Sequence, residues 1–370
     1  MAQVSHIAVD TREPTRIGFL LVENFTLIAL SSALEPLRMA NHLSGQNLYD
    51  WQLISAMGRE VNASGGVRML TDQLMHSEQE YDYLFVVAGV NVIENAKPEE
   101  IRWLKQQARR KTVLGGLCTG PYLLAQARLL DGYSCSAHWE CLAALQEEHP
   151  LVYCNKNLFS FDRDRITCSG GDVPLHMMVH LISSHHGAPL ASAISDMFVC
   201  ERVRDSHEPQ RLRMESHHFA SQPKLAEAVQ LMEANIEEPI PIVDIAELSG
   251  VSRRHLERLF VTYLNCSPSR FYLKLRLERA RQLLLQTSSP IVEVATMCGF
   301  ISAPNFSRSY RKHLGVSPKE ERANKRTHTS NIILMEEDVG IVPSNAEQAL
   351  EIARQEASFG TVEQGVQIDA

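Results

Sequence analysis

The chain has 370 residues, a formal net charge of −8 and a hydrophobic fraction of 44%. This length predicts two or three domains, each with enough apolar residues to form a core. The sequence has no apolar run of 18 residues or more, which excludes a membrane-spanning helix. Its first residues lack the basic-then-apolar order of a signal peptide, so we expect an intracellular, cytoplasmic protein without a membrane partner.

Eight cysteines are scattered along the chain, and no two of them form a Cys-x-x-Cys pair. This spacing does not indicate a zinc ribbon or a thioredoxin-like redox pair. We therefore expect no metal and no cofactor. Most of the thiols are expected to be reduced and buried as small apolar side chains.

The segment of residues 16–205 alternates between strand-like and helix-like patterns. Continuous apolar runs of strand length occupy residues 17–22, 83–89 and 112–117, and residues 98–110 have a helical pattern. Such runs, bounded by glycine, are typical of strands buried on both faces of a parallel sheet. The order of the elements predicts a doubly wound α/β domain, which we call the front domain.

The composition changes on either side of the front domain. Residues 1–15 are expected to form an N-terminal tail. Residues 206–222 are polar and charged and include Pro209, which predicts a linker. Residues 223–323 predict an all-helical domain, called the rear domain. Residues 324–370 carry 8 acidic and 3 basic side chains, a local charge of −5, and predict a mobile acidic tail.

The rear domain contains an internal repeat with a period of about 50 residues, in the range expected for a duplicated structural unit. Residues 245–252 align with residues 294–302, and each copy continues into a helix and then a Ser-Pro pair. Gly250 and Gly299 stand where a first helix must stop. Ser252 and Ser302 can cap the next helix. Two copies in register predict a double helix-turn-helix; the alternative is a plain bundle of capped helices.

Charge supports a role for the rear domain in DNA binding. From Ser252 to Arg322 the chain has 13 Lys and Arg residues against 5 acidic ones, a local charge of +8. A basic module in an acidic chain is the electrostatic pattern expected of a DNA-binding domain.

Residues 242–252, 293–300 and 303–318 resemble the DNA-binding domain of the AraC/XylS family. The resemblance implies two recognition helices that enter successive major grooves on one face of DNA. The base-facing positions it implies are Arg254, Glu257, Arg258, Asn305 and Arg308. Arginine reads guanine, asparagine reads adenine, and glutamate accepts a hydrogen bond from cytosine. The alternative for the arginines is a phosphate contact, which sets register only.

The front domain contains one candidate site. A predicted strand ends at Leu117 and is followed by Cys118-Thr119-Gly120 and a short helical pattern at residues 121–127. Nearby glycines permit a sharp turn that presents Cys118 at a helix N-terminus, where the positive partial charge lowers the pKa of a thiol. His138 follows about twenty residues later, and a Cys with a downstream His is the skeleton of a nucleophilic pair.

The Gly-Gly-Leu-Cys-Thr-Gly turn, the Ala-His-Trp segment and the Ser-Gly-Gly-Asp segment at residues 169–172 resemble the DJ-1/PfpI family. This family shares the flavodoxin-like fold of class I glutamine amidotransferases. Joined to the AraC-type domain, it gives the architecture of the GlxA-like branch of regulators. Related hydratases carry an acidic residue where this chain has Ala29. Cys118 and His138 are therefore degenerate catalytic candidates, and we expect no enzyme activity.

The front domain is instead expected to sense a ligand. The predicted ligand-binding residues are Glu35, Cys118, His138 and Trp139. Residues 34–41 and 136–142 resemble regulators of small-amine and amino-acid catabolism, which include responders to glycine betaine, carnitine and arginine. Trp51 and Trp139 offer an aromatic wall for a quaternary ammonium group.

The leading hypothesis is a homodimeric transcription activator whose partners are promoter DNA, a small-molecule inducer and RNA polymerase. Three alternatives concern the front domain. In the first, the front domain is a Cys-dependent amidase or hydratase. In the second, it is a redox sensor acting through Cys118, and in the third it is a purely structural or dimerising unit.

Overall fold

The computed structural model describes residues 13–75, 78, 80–208, 210 and 222–323. Most of the predicted N-terminal tail, most of the predicted linker and all of the predicted acidic tail lie outside the described residues. Among the described residues, no helix is long and apolar enough to cross a membrane.

The front domain alternates strands and helices, as predicted. Its strands are β1 (Thr15–Leu21), β2 (Tyr49–Ser55), β3 (Glu60–Asn62), β4 (Arg68–Leu70), β5 (Gln73–Leu74), β6 (Tyr83–Ala88), β7 (Val113–Cys118), β8 (Ser134–Ser136), β9 (Tyr153–Asn155), β10 (Phe159–Asp162) and β11 (Arg165–Cys168). Its helices are α1 (Leu27–Ser44), α2 (Val92–Asn95), α3 (Pro98–Ala108), α4 (Pro121–Gln126), α5 (Trp139–Glu148), α6 (Val173–His186) and α7 (Ala188–Met197).

The main sheet has the strand order β10-β11-β7-β6-β1-β2-β5. Strands β11, β7, β6, β1, β2 and β5 pair in parallel, whereas β10 runs antiparallel to β11 at the edge. The antiparallel edge was not predicted. It arises because only Arg163 and Asp164 separate these two strands, too few residues for a parallel crossover.

Helices cover both faces of this sheet, which confirms the doubly wound α/β prediction. Successive residues of a strand point to opposite faces. Phe19 of β1 accordingly packs in a core cluster with α1, α6 and α7, and its neighbour Leu20 packs in a second cluster with α3, α4 and α5. The carboxyl ends of β1, β6, β7 and β11 meet at one edge, where ligand sites of such sheets form.

The rear domain is helical throughout its described residues. Its helices are α8 (Pro223–Ala234), α9 (Ile242–Leu248), α10 (Arg253–Leu264), α11 (Pro268–Gln286), α12 (Ile291–Met297), α13 (Ala303–Leu314) and α14 (Pro318–Ala323). The pairs α9–α10 and α12–α13 are the two predicted helix-turn-helix modules.

The turn chemistry predicted for both modules is present. Gly250 and Gly299 have φ values of 67° and 74° and end α9 and α12. The Ser252 side chain accepts a hydrogen bond from the backbone N–H of His255 at 3.2 Å, and Ser302 accepts one from the N–H of Asn305 at 3.4 Å. Each recognition helix therefore begins at the capping serine that the sequence indicated.

Each module has its own apolar core, and α11 contributes to both. Leu256 and Phe260 of α10 pack with Phe271 from the first half of α11. Phe306 of α13 packs in one cluster with Leu283 from the second half of α11. Helix α11 therefore holds the two modules in one rear domain.

Candidate functional site

The first recognition helix, α10, turns a polar face to solvent. Arg254 and Arg258 are exposed, and the buried Leu256 and Phe260 lie on the other face. The side chain of Glu257 is 46% exposed and accepts a hydrogen bond from Arg253 Nε at 2.9 Å. A carboxylate can accept several hydrogen bonds, so this ion pair is compatible with a contact to a base.

The second recognition helix, α13, has the same division. Asn305 and Arg308 are exposed and three residues apart, so they share one face of the helix. Phe306 and Tyr310 are fully buried on the opposite side. The fold thus leaves the five residues predicted to face DNA on exposed or half-exposed positions of α10 and α13.

The turn before α13 is held by an arginine that sequence reasoning had counted only as positive charge. Arg276 of α11 donates hydrogen bonds to the carbonyl oxygens of Cys298, at 2.8 Å, and Gly299, at 2.6 Å. Its guanidinium carbon lies 4.2 Å from the centroid of the Phe300 ring. Burial lowers the pKa of Arg276. This arginine satisfies carbonyl groups that the end of α12 leaves without helical partners.

Part of the local charge of +8 is therefore used inside the protein. Arg276 caps α12, and Arg281 donates a 3.0 Å hydrogen bond to the carboxylate of Glu321, which is 1% exposed. The sequence could have indicated this internal role through the neighbours of Arg276. It lies between Leu275 and Leu277, both of which are buried in α11.

The candidate site of the front domain is centred on Cys118 at the end of β7. Cys118 has φ = 61°, an uncommon value for a residue with a side chain, and is 5% exposed. Its Sγ atom lies 3.4 Å from Oγ1 of Thr26. A Cβ atom added at Gly170 would lie 2.7 Å from Cβ of Cys118, so the loop after β11 packs directly against this cysteine.

Because Cys118 is enclosed, the pKa of its thiol shifts in the direction opposite to the one expected. Burial raises the pKa of Cys118 to about 11, although hydrogen bonds from Thr26 and from the backbone of Thr119 act in the opposite direction. The predicted lowering of the pKa is wrong, because desolvation of a thiolate outweighs the amide dipoles of α4, which has six residues. At neutral pH the thiol is protonated.

The backbone brings His138 next to Cys118. Its N–H donates a 2.9 Å hydrogen bond to the carbonyl oxygen of Cys118, and His138 is the N-cap residue of α5. Its Nδ1 atom lies 3.4 Å from the backbone nitrogen and 3.6 Å from a carboxylate oxygen of Glu140. The rings of His138 and Trp139 lie 5.4 Å apart. Cys118, His138 and Trp139 are thus neighbours, with the carboxylate of Glu140 beside them.

No contact described in the structure joins Glu35 to this group, so its role in ligand binding stays a prediction. Glu35 lies nine residues after Thr26 on α1, about 13 Å along the helix axis. Its carboxylate is exposed and pairs with Arg38 at 2.6 Å. Trp51 does not join the predicted aromatic wall either, because it packs against the core cluster of α1, on the face of the sheet opposite to α5.

Sequence reasoning missed Thr26 and Glu140. Thr26 follows β1 and precedes α1, a position at the carboxyl end of a strand where ligand-binding residues are common. Glu140 lies in the first turn of α5, where an acidic residue is also explained by the helix dipole. Among the described residues, no group of three or more His, Cys, Asp or Glu side chains could hold a metal ion.

Comparisons with known proteins identify both domains. Residues 15–184 match the DJ-1/PfpI family, and residues 245–324 match a helix-turn-helix domain. The HTH-type transcriptional regulator GbdR of Pseudomonas aeruginosa is 49% identical over 355 residues, which cover 95% of this chain and 97% of that protein.

The similarity to two further relatives also extends over most of both chains. The HTH-type transcriptional regulator ArgR of Pseudomonas aeruginosa is 42% identical over 318 residues, 85% of this chain and 95% of that protein. The HTH-type transcriptional regulator GlxA of Rhizobium meliloti is 34% identical over 310 residues, 84% of this chain and 96% of that protein. The similarity therefore includes both domains and the segment between them.

Proposed function

Because this chain belongs to the GlxA-like transcriptional regulators, which join a DJ-1/PfpI domain to an AraC-type DNA-binding domain, we propose that a small metabolite with a cationic head group, bound in its front domain, controls its action on promoter DNA. The protein is a DNA-binding transcription regulator. The ligand response is assigned to residues 16–205 and DNA binding to residues 223–323, with residues 206–222 as the linker.

The observation that carries the ligand class is the arrangement at the start of α5. Trp139 offers an aromatic face, its ring lies 5.4 Å from that of His138, and Glu140 adds a carboxylate beside His138. An aromatic face and a carboxylate attract a small cation such as a quaternary ammonium group. This chemistry agrees with the resemblance to regulators that respond to glycine betaine and carnitine.

Binding without catalysis is proposed for the same site. Cys118 keeps the left-handed backbone of a nucleophile turn, but burial raises the pKa of its thiol to about 11. The hydratases that this domain resembles have an acidic residue where this chain has Ala29, which is fully buried. A redox role is disfavoured because Cys118 is 5% exposed, and oxidation selects accessible thiolates.

The protein is further proposed to act as a homodimeric activator that contacts RNA polymerase. The resemblance to the AraC/XylS family supports this assignment.

Isothermal calorimetry on the full chain tests the ligand class. Glycine betaine, carnitine and arginine are compared with 3,3-dimethylbutyrate, a neutral-headed analogue of glycine betaine in which carbon replaces the ammonium nitrogen. At least one of these three compounds, each of which has a cationic head group, should bind, and the analogue should not; the one that binds is called the cation below. Glu140→Gln should weaken the binding of that cation, whereas Glu99→Gln, which alters an exposed ion pair on α3, should leave it unchanged. Equal binding of the analogue and the cation would contradict the proposal.

A further inference from the structure

Helix α5 belongs to the cores of both domains. Cys141 and Leu145 pack in the front-domain cluster that contains Leu20, on one face of the sheet. Ala143, which is fully buried, packs instead in the core of the second helix-turn-helix module, with Leu277 and Ala280 of α11. The small side chains of Ala143 and Ala280 permit the two helices to approach closely.

Polar contacts extend this packing along the same face of α5. Arg279 of α11 donates a 3.2 Å hydrogen bond to Oε1 of Gln146, and its Nη2 atom lies 3.9 Å from a carboxylate oxygen of Glu147. Ala143, Gln146 and Glu147 have the i, i+3, i+4 spacing of one helix face. The Arg279 side chain is 23% exposed, and burial lowers its pKa. We call this contact of α5 with α11 the α5–α11 interface.

Helix α11 continues from this interface to the second recognition helix. Arg276 lies three residues, or about one helical turn, before Arg279. It holds the carbonyl oxygens of Cys298 and Gly299 in the turn that precedes α13. An unbroken series of contacts therefore connects the last two turns of α5 with the start of α13.

The other end of α5 lies at the candidate ligand site. Its N-cap residue His138 is hydrogen-bonded to the Cys118 carbonyl. The start of the linker is fixed at the same place, because the side-chain amide of Gln210 donates 2.9 Å hydrogen bonds to the carbonyl oxygens of Ala137 and Asn157. One helix of ten residues thus has the ligand site at its beginning and the DNA-binding domain against its middle and end.

We propose that α5 transmits ligand binding to the second helix-turn-helix module through the α5–α11 interface. This inference rests on the proposed function, because it takes the ligand to contact His138, Trp139 and Glu140. A ligand held by these residues shifts the first turn of α5. A helix moves as a unit, so the face that carries Ala143 shifts against α11, and the orientation of α13 changes with it.

A charge exchange across the interface tests this coupling in the full chain. Glu147→Arg brings two guanidinium groups together and should separate α5 from α11. Glu147→Arg combined with Arg279→Glu should restore the attraction. Glu99→Arg on α3 is the matched control, because it makes the same charge change at an exposed ion pair away from the interface. None of these positions belongs to the ligand site.

The first readout is the ratio of the Kd values for DNA without and with saturating ligand. The DNA is a duplex selected from random sequence by the wild-type chain, and the ligand is the cation that binds in the calorimetric panel. Allosteric coupling typically changes affinity by about 5- to 150-fold. In Glu147→Arg the ratio of the two Kd values should fall to about 1. The ligand would then no longer change the affinity for DNA, like a ligand that binds both conformational states equally well. The effect of the ligand should return in the double variant and persist in the control. A wild-type ratio in Glu147→Arg, with ligand still bound, overturns the inference.

The second readout is amide hydrogen exchange without ligand, which separates this inference from the proposed function. Exchange should accelerate in α5 and in residues 299–306 of Glu147→Arg, and should recover in the double variant. Unchanged exchange in residues 299–306 overturns the coupling, whatever the ligand. If no cation of the panel binds, the proposed ligand class fails while this readout still decides whether α5 and α13 are coupled. If Glu147→Arg does not fold, Arg279→Ala is measured in the same way, with the same expected changes.

Discussion

The backbone N–H of His138 donates a 2.9 Å hydrogen bond to the carbonyl oxygen of Cys118. This bond joins the turn that carries the buried thiol to the first turn of α5. The fold thus places a protonated cysteine beside a helix that packs against the DNA-binding domain. The geometry is suited to sensing, since a change at the site meets a helix end that is already attached to the rear domain.

The first prediction concerns the reactivity of Cys118. Because burial raises the pKa of its thiol to about 11, the thiolate is scarce at neutral pH and accumulates only as the pH approaches that value. Alkylation by iodoacetamide, followed by peptide mass spectrometry, should be much slower at Cys118 than at the half-buried Cys200 near pH 7. The rate at Cys118 should rise steeply in alkaline solution. Fast alkylation of Cys118 at neutral pH would restore the enzyme hypothesis.

The second prediction concerns base reading by the second recognition helix. Arg308→Ala should weaken binding to a selected duplex by about 1–3 kcal/mol and relax specificity at one base position. Arg102→Ala, which removes an equal charge at an exposed position of α3, is the control and should have no effect on specificity. Fluorescence anisotropy with single-base variants of the duplex measures both. A uniform loss of affinity across all of these sequences would identify a phosphate contact instead.

The third prediction compares the two turn glycines. Both have positive φ, so replacing either with alanine costs about 1–2 kcal/mol of backbone strain. A Cβ atom at Gly299 would also lie 2.5 Å from Cγ of Pro239, whereas one at Gly250 meets only Nζ of Lys224 at 3.4 Å. Gly299→Ala should therefore lower the free energy of unfolding by about 1–3 kcal/mol more than Gly250→Ala does. Urea titrations of the two variants measure the difference, and equal losses would refute the crowding at Gly299.

The repeat, the turns and the alternation of strands with helices could be predicted because they depend on local signals. Glycine at the end of a helix and serine before the next one determine the starts of α10 and α13 within a few residues. The locations of Glu35 and Arg276 depend on tertiary contacts that no local pattern encodes. The pKa of Cys118 was misjudged for the same reason, since the loop that encloses it comes from residues 169–172, about 50 positions later.

The fourth prediction is a pH dependence of stability from Glu100 of α3. Burial raises the pKa of this carboxyl group to about 7, while its carboxylate accepts a 2.8 Å hydrogen bond from the N–H of Lys97. A raised pKa means that the fold favours the neutral acid. Its contribution to stability is complete below the unfolded pKa of about 4.3 and is lost as the pH rises through about 7.

Glu100→Gln should remove this dependence and keep the hydrogen bond to Lys97. The gain in the free energy of unfolding should be at most about 4 kcal/mol near pH 8 and small near pH 5. Urea unfolding at these two pH values measures it. Equal effects of the substitution at both would contradict the raised pKa.

Hydroxyl-radical footprinting of the full chain on its selected duplex tests most directly whether two recognition helices read DNA. Two protected segments are expected on one face of the duplex, separated by one helical turn of about 10 base pairs. Arg254→Ala should weaken protection of one segment and Arg308→Ala that of the other. A single protected segment, or loss of the same segment in both variants, would contradict the account.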